Sequence, residues 1–374
     1  MRESDGARTP RIDTLDGLRG LAAIVVVAGH MRLGQSWGLF ANYNLAVDVF
    51  LALSGYVMAR GYEPRFARGL GLGRFMALRA ARLWPMVLVG TLVGGLAWLG
   101  HGSPAIAGDA ELSPALVLLL GALLVPTSVA GSHMVIANRP LWSLVYELVA
   151  NACHRAFVWR GATRWLAAGW TGCALAALAL CLSGAAPGGI NGDAGWALTL
   201  ARLLAAYLAG VILWRLDDRF AALPRLPFVV PATLFSLAAC LPDGGCGALA
   251  TTLAMAGRLA LAPLVLLVAA DPAPRGRLVA ALGALSYPLY AIHYPVVTWL
   301  LAASVGVPFA LALRLSVLTA LCLAAWAIGV AVDAPAVRLF QRAITARRSP
   351  RRVRARRAAS GAPVSARGAG AVRA

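Results

Sequence analysis

Lysine is absent from this chain: every one of its 34 basic residues is arginine. That usage fits a GC-rich bacterial genome and carries no mechanistic information. Charge of either sign is scarce, at 13% of residues against about a quarter in soluble domains. With 60% hydrophobic residues and a mean hydropathy of +0.74, a soluble globular class is excluded and the bilayer is the solvent to reason in. A small-residue cleavage pattern is also missing after the first apolar run, which therefore reads as an uncleaved first span and not as a signal peptide. The six cysteines include no close-spaced pair of metal-ligand type, and no metal is expected. Four lie in apolar runs, where packing accounts for them; Cys240 and Cys246 flank the turn LPDGG. A disulfide between those two is a hypothesis, checked by the mass shift on reduction and alkylation.

What is present is apolar blocks joined by short connectors. They lie near 15–33, 45–59, 83–100, 114–126, 141–158, 164–184, 197–214, 226–241, 249–270, 284–302 and 309–332, an odd number. Both termini are arginine-rich and are expected in the cytoplasm, which requires an even number of crossings. The 114–126 block, bracketed by Pro114 and Pro126 and too short to cross, reads as a re-entrant or interfacial helix. The expectation is an all-α polytopic bundle of about ten transmembrane helices in a bacterial cytoplasmic membrane. Three regions follow: a basic cytoplasmic N-terminus (1–14), a membrane domain (15–335) and a basic, disordered cytoplasmic tail (336–374).

The loops support that parity independently. Arg60, Arg65, Arg68, Arg74 and Arg79 fall on one side, with Arg160 and Arg164, Arg215, Arg219 and Arg225, and Arg275 and Arg277. Segments 101–113, 185–195 and 303–308, on the other side, contain no arginine. The net charge of +19 thus reports topology and contact with anionic lipid, and no nucleic-acid partner is expected.

Ionisable groups at membrane depth are costly and ask for a partner or a function. Arg19 and His30 lie eleven positions apart, which returns to within roughly 20° of one helix face and places His30 about 16 Å deeper. Such a face suits a donor with an anionic head and a reactive end, Arg19 holding phosphate and a neutral His30 acting as base. The alternative is that Arg19 snorkels to the interface and His30 caps a helix. Arg79 and Arg82 share a face before the third span and extend the cationic site, although positive-inside topology also places arginine there. Glu147 is a short-stemmed membrane carboxylate and a catalytic candidate; Asp48 is a second, which a helix N-terminus would also explain. His293 sits between two prolines that are expected to interrupt the helix and open backbone groups toward a cavity. Arg202, Arg258 and Arg314 lie within spans as well, and Arg202 is placed facing a cavity.

The motifs LDGLRGLAAIVVVAGH, VDVFLALSGY, RxxR before WP at Arg79 and Arg82, WSLxxE at Trp142 to Glu147, and LSYPLYAIH, in that order, resemble the acyltransferase-3 family. These are integral-membrane enzymes that modify surface polysaccharides, lipopolysaccharide O-antigen, Nod factors and macrolides. The likeness runs from Leu15 to about Pro335. It implies ten spans, an acyl-coenzyme A donor reached from the cytoplasm, acetyl-CoA in the first instance, and essential Arg19 and His30. Arg79, Arg82 and Glu147 match further family positions. Trp142, Ser143, Tyr290 and His293, within the same motifs, are expected to contact a glycan-like or small-molecule acceptor. The chain departs from the pattern at its last span, where Asp333, Ala334 and Pro335 replace Glu-x-Pro. A competing class is a multi-pass exporter, in which the same charges would line a transport path; against it, no second copy of the Arg19–His30 pattern occurs.

Overall fold

A computed structural model describes residues 12–33, 39–101, 113–129, 132–134, 137–185, 192–220, 226–242, 247–269, 276–303 and 311–346. The basic stretch before Ile12, the arginine-rich run after Ala346, and Cys246 of the postulated disulfide lie outside them. The described residues are mostly helical: α1 (Asp13–His30), α2 (Leu45–Ala67), α3 (Leu72–His101), α4 (Pro114–Ala122), α5 (Trp142–Ala156), α6 (Thr163–Leu182), α7 (Gly192–Arg215), α8 (Val229–Ala239), α9 (Ala248–Ala269), α10 (Arg277–Ala303), α11 (Leu311–Ile328) and α12 (Ala334–Ala346). A ribbon of two three-residue strands, β1 (Thr127–Val129) and β2 (Ser132–Met134), interrupts it. Among the described residues, six helical segments are long and apolar enough to cross a membrane: Leu45–Ala67, Leu72–Ala97, Thr163–Leu182, Gly195–Arg215, Ala248–Ala269 and Leu311–Ala346. Large apolar side chains exposed on α3, α6, α9 and α11, such as Leu96, Leu175, Leu253 and Leu323, form the surface that lipid would cover.

Pairs of residues that meet across the helices fix their relative directions. α1 and α10 run parallel, since Gly17 faces Val279, Gly20 faces Leu282 and His30 meets His293. α2 and α7 are parallel through Asp48 with Arg202, Gly55 with Tyr207 and Glu63 with Arg215. α3 and α5 are antiparallel, as Arg79 with Glu147 and Gly90 with Asn138 require. α4 also packs antiparallel to α3, through Gly95 with Leu118 and Gly121 with Thr91, and so shares the direction of α5. α4 is only nine residues long, capped by Ser113 Oγ accepting from the Leu116 amide at 3.3 Å and opened by Pro114. α8 is also short, at 11 residues, yet runs from Phe228 beside Gly17 to Ala238 and Ala239 beside Asn42.

α1 is the centre of the bundle. Ala22, Val25 and Val26 enter one apolar core with α2, α7, α8 and α9, while Ala23 and Val27 enter a second with α3, α5, α10 and α11. Close approach to α10 needs a residue without Cβ at Gly20, because a Cβ there would overlap the Leu282 carbonyl. Two expectations change here. Residues 336–346, expected in the tail, are helical: after a π-helical turn at Gly329–Asp333 the chain continues as α12, on which Leu339 and Phe340 are exposed. The prolines of α10 do not interrupt it, and helix continues from Arg277 to Ala303.

Candidate active site

Two polar layers stand along α1. The inner one gathers Arg19, Arg79, Arg82, Glu147, Asp16 and Asp333, whose charges are close enough to act on one another. Each arginine has its own carboxylate. Arg79 donates from Nη2 to Glu147, which also accepts from Ser54 Oγ at 3.1 Å. Arg82 donates from Nη1 to both oxygens of Asp333, at 2.9 and 3.3 Å, and its guanidinium also lies over the Tyr287 ring. Arg19 reaches Asp16 only at 3.6 Å, with both side chains about a third exposed. The expected cationic cup is thus charge-balanced, and Arg19 is its most loosely held member. Asp333, where the motif departs, retains a carboxylate for Arg82.

The second layer is built at the far end of α1. His30 Nδ1 lies 3.1 Å from His293 Nε2, and the rings of Tyr43 and Tyr294 stand 5.0 and 5.1 Å from the His30 ring. Arg139, on the 3₁₀ turn before α5, is near enough to His30 for their charges to interact. His293 is fully buried, and its Nδ1 lies 2.9 Å from the Tyr290 carbonyl and 3.2 Å from that of Leu289. Pro295 lacks an amide proton, so the Ala291 carbonyl four residues earlier loses its helical donor. That carbonyl is taken up by Asn138, whose Nδ2 donates to it at 2.6 Å and to Gly90 O at 3.2 Å, clamping α3 to α10.

Other candidates are placed elsewhere. Glu147 belongs to the inner layer, because antiparallel packing sets it level with Arg79; it does not orient His30. Asp48 neither caps α2 nor reaches His30: its Oδ2 accepts from Arg202 Nη1 at 3.0 Å, with both residues buried. That pairing also corrects the placement of Arg202 against a cavity. Ser143 Oγ and Tyr290 OH lie 2.7 Å apart, so one hydroxyl donates to the other while the second donates to the Pro140 carbonyl, which ties α10 to the start of α5. Trp142 stacks edge-on against Tyr146 at 5.5 Å. Arg314 donates to the Met31 and Arg32 carbonyls.

Sequence reasoning missed Asn138, Arg139 and a buried network at the ends of α2, α5 and α7. There His154 Nε2 meets Glu63 at 3.0 Å and its Nδ1 meets Tyr207 OH at 2.8 Å, while Arg215 donates to Glu63 and to loop carbonyls. Glu63 and Arg215 stood out in the sequence only as charges at helix ends.

A helical bundle whose central helix carries ionisable groups in two polar layers is an integral membrane protein with polar groups held within it. The chain belongs to the acyltransferase-3 family: the acyltransferase domain that defines it matches residues 12–333, and the molecule is a membrane acyltransferase. It is also similar to "Protein 2 in picA locus" of Rhizobium radiobacter, with 36% identity over 156 residues, covering 38% of this chain and 81% of that protein. No solved structure matches it significantly.

Proposed function

We propose that the protein transfers an acyl group, acetyl in the first instance, from cytoplasmic acyl-coenzyme A to a hydroxyl of a cell-envelope glycan or related acceptor. The observation that carries this reading is the arrangement on α1: Arg19 in the charged layer and His30 in the histidine layer, about 16 Å apart along one helix. That spacing suits an elongated donor with phosphates at one end and a thioester at the other. Arg19, least engaged with a carboxylate, takes the phosphates, with Arg79 and Arg82 lining the same layer. The arginine-rich loops support an orientation with that layer toward the cytoplasm and both termini on the same side.

At the other end His30 Nε2 removes the proton of the acceptor hydroxyl as its oxygen attacks the thioester carbonyl carbon. The tetrahedral oxyanion collapses with cleavage of the C–S bond, and the leaving thiolate takes the proton back from His30. Arg139 supplies positive charge beside the developing oxyanion. Tyr43 and Tyr294 flank His30 with rings of the kind that stack on sugar faces, which supports a glycan hydroxyl as acceptor.

The test is incubation of the purified protein in detergent with radiolabelled acetyl-coenzyme A and a cell-envelope glycan extract. Label in the glycan fraction, matched by free coenzyme A, is the expected result. Absence of transfer across a panel of acyl donors and acceptors, with folding verified, would remove the reading.

A further inference from the structure

His293 was expected to contact the acceptor, but its hydrogen bonds are all spoken for. Carbonyl oxygens only accept, so the Nδ1 that faces Tyr290 O at 2.9 Å and Leu289 O at 3.2 Å carries a hydrogen. Each carbonyl has a second lone pair free for it after its helical bond. A neutral imidazole protonated on Nδ1 has its lone pair on Nε2, the atom 3.1 Å from His30 Nδ1. Two facing ring nitrogens make a bond only if one of them carries the hydrogen, and here that must be His30 Nδ1; the His30 ring also meets the Val26 backbone carbonyl one helical turn back, so two partners bear on its tautomer. The lone pair of His30 is then on Nε2, directed away from His293. The opposite arrangement needs a doubly protonated His293, a cation with no solvent exposure.

We propose that His293 is a positioning residue: through the Tyr290 and Leu289 carbonyls it fixes its own tautomer, and through its Nε2 it fixes that of His30. The inference deepens the reading of His30 as base and rests on it for its catalytic meaning, while the tautomer itself does not. The geometry depends on α1 and α10 staying parallel and in register, which the contact of Gly20 with Leu282 enforces nearer the inner end. The two residues come from segments 263 positions apart. A histidine that merely filled space in α10 would have no need to aim its second nitrogen at α1.

The chain has five histidines, so uniform ¹⁵N-histidine labelling of the full protein gives a spectrum that single variants assign. Solid-state NMR of the wild type in lipid is expected to show His30 protonated at Nδ1 and bare at Nε2. His293→Leu is expected to turn His30 into a mixture of tautomers and to lower the transfer rate on the order of 10-fold to 100-fold, with the donor KM little changed. His293→Gln, whose side-chain oxygen reaches the place of Nε2, restores the single tautomer and most of the rate. A wild-type His30 protonated at Nε2 overturns the proposal, as does a folded His293→Leu protein whose His30 tautomer is unchanged. Because the spectrum needs no turnover, a His293-dependent tautomer in a protein that transfers no acyl group would uphold the tautomer control and overturn the role of His30 as base.

Discussion

Arg82 and Asp333 join two helices far apart in the chain: one guanidinium nitrogen donates to both carboxylate oxygens and holds the π-helical turn after α11 against α3. The Arg82 side chain keeps 30% of its exposure, so solvent screens the pair and its worth is modest. A double-mutant cycle with Arg82→Ala and Asp333→Ala is expected to give a coupling of about 1 kcal/mol in unfolding stability. Asp333→Glu, which keeps the carboxylate, is expected to retain most of it. Strict additivity of the two alanine substitutions would show that the contact contributes nothing.

Gly20 lets α1 and α10 approach until backbone meets backbone. Alanine is the better helix former by about 1 kcal/mol, so propensity alone predicts that Gly20→Ala stabilises. The overlap with the Leu282 carbonyl reverses the sign: a loss of about 1–3 kcal/mol and a fall in activity are expected, since the histidine pair depends on the same contact. Gly61→Ala in α2, where an added Cβ meets nothing, serves as control and is expected to be neutral or stabilising. Thermal unfolding in detergent compares the two.

Arg202 and Asp48 are both almost wholly buried. Arg202→Met strands the Asp48 carboxylate and is expected to cost about 3–5 kcal/mol, and Asp48→Asn in the same chain is expected to recover part of that. The folded fraction of the double variant is expected to transfer acyl groups at near the normal rate, because this pair is not at His30. A rate falling by orders of magnitude in a stably folded double variant would return Asp48 to the catalytic set.

Asn138→Ala takes away the donor shared by the Gly90 and Ala291 carbonyls, which lie between packed helices. A loss of about 1–3 kcal/mol is expected by chemical denaturation. Pro295→Ala restores a backbone amide for Ala291, and in that background the effect of Asn138→Ala is expected to shrink.

How much of this was legible in the sequence depends on whether a feature lies within one element or between two. Arg19 and His30 share α1, so 3.6-residue periodicity and rise per residue give their face and separation directly. Pro114 with its short apolar run likewise singles out α4. Partners are a different matter. That Glu147 bonds Arg79, that Asp48 bonds Arg202 and that His293 bonds His30 depend on which helices adjoin and in what register. Those choices are set by shape, such as the missing Cβ of Gly20 or Gly55, which periodicity does not encode. The prolines of α10 misled for a related reason: Pro295 does free a carbonyl, but the side chain that answers it, Asn138, comes from 153 positions away.

The central claim is that His30 is the base of acyl transfer, and the direct measurement is the rate of coenzyme A release and acyl transfer by His30→Ala beside the wild type, both shown to be folded and membrane-inserted. A loss of about 10²–10⁴-fold in kcat with donor binding retained is the predicted result. A His30→Ala protein that transfers at the wild-type rate would contradict the account.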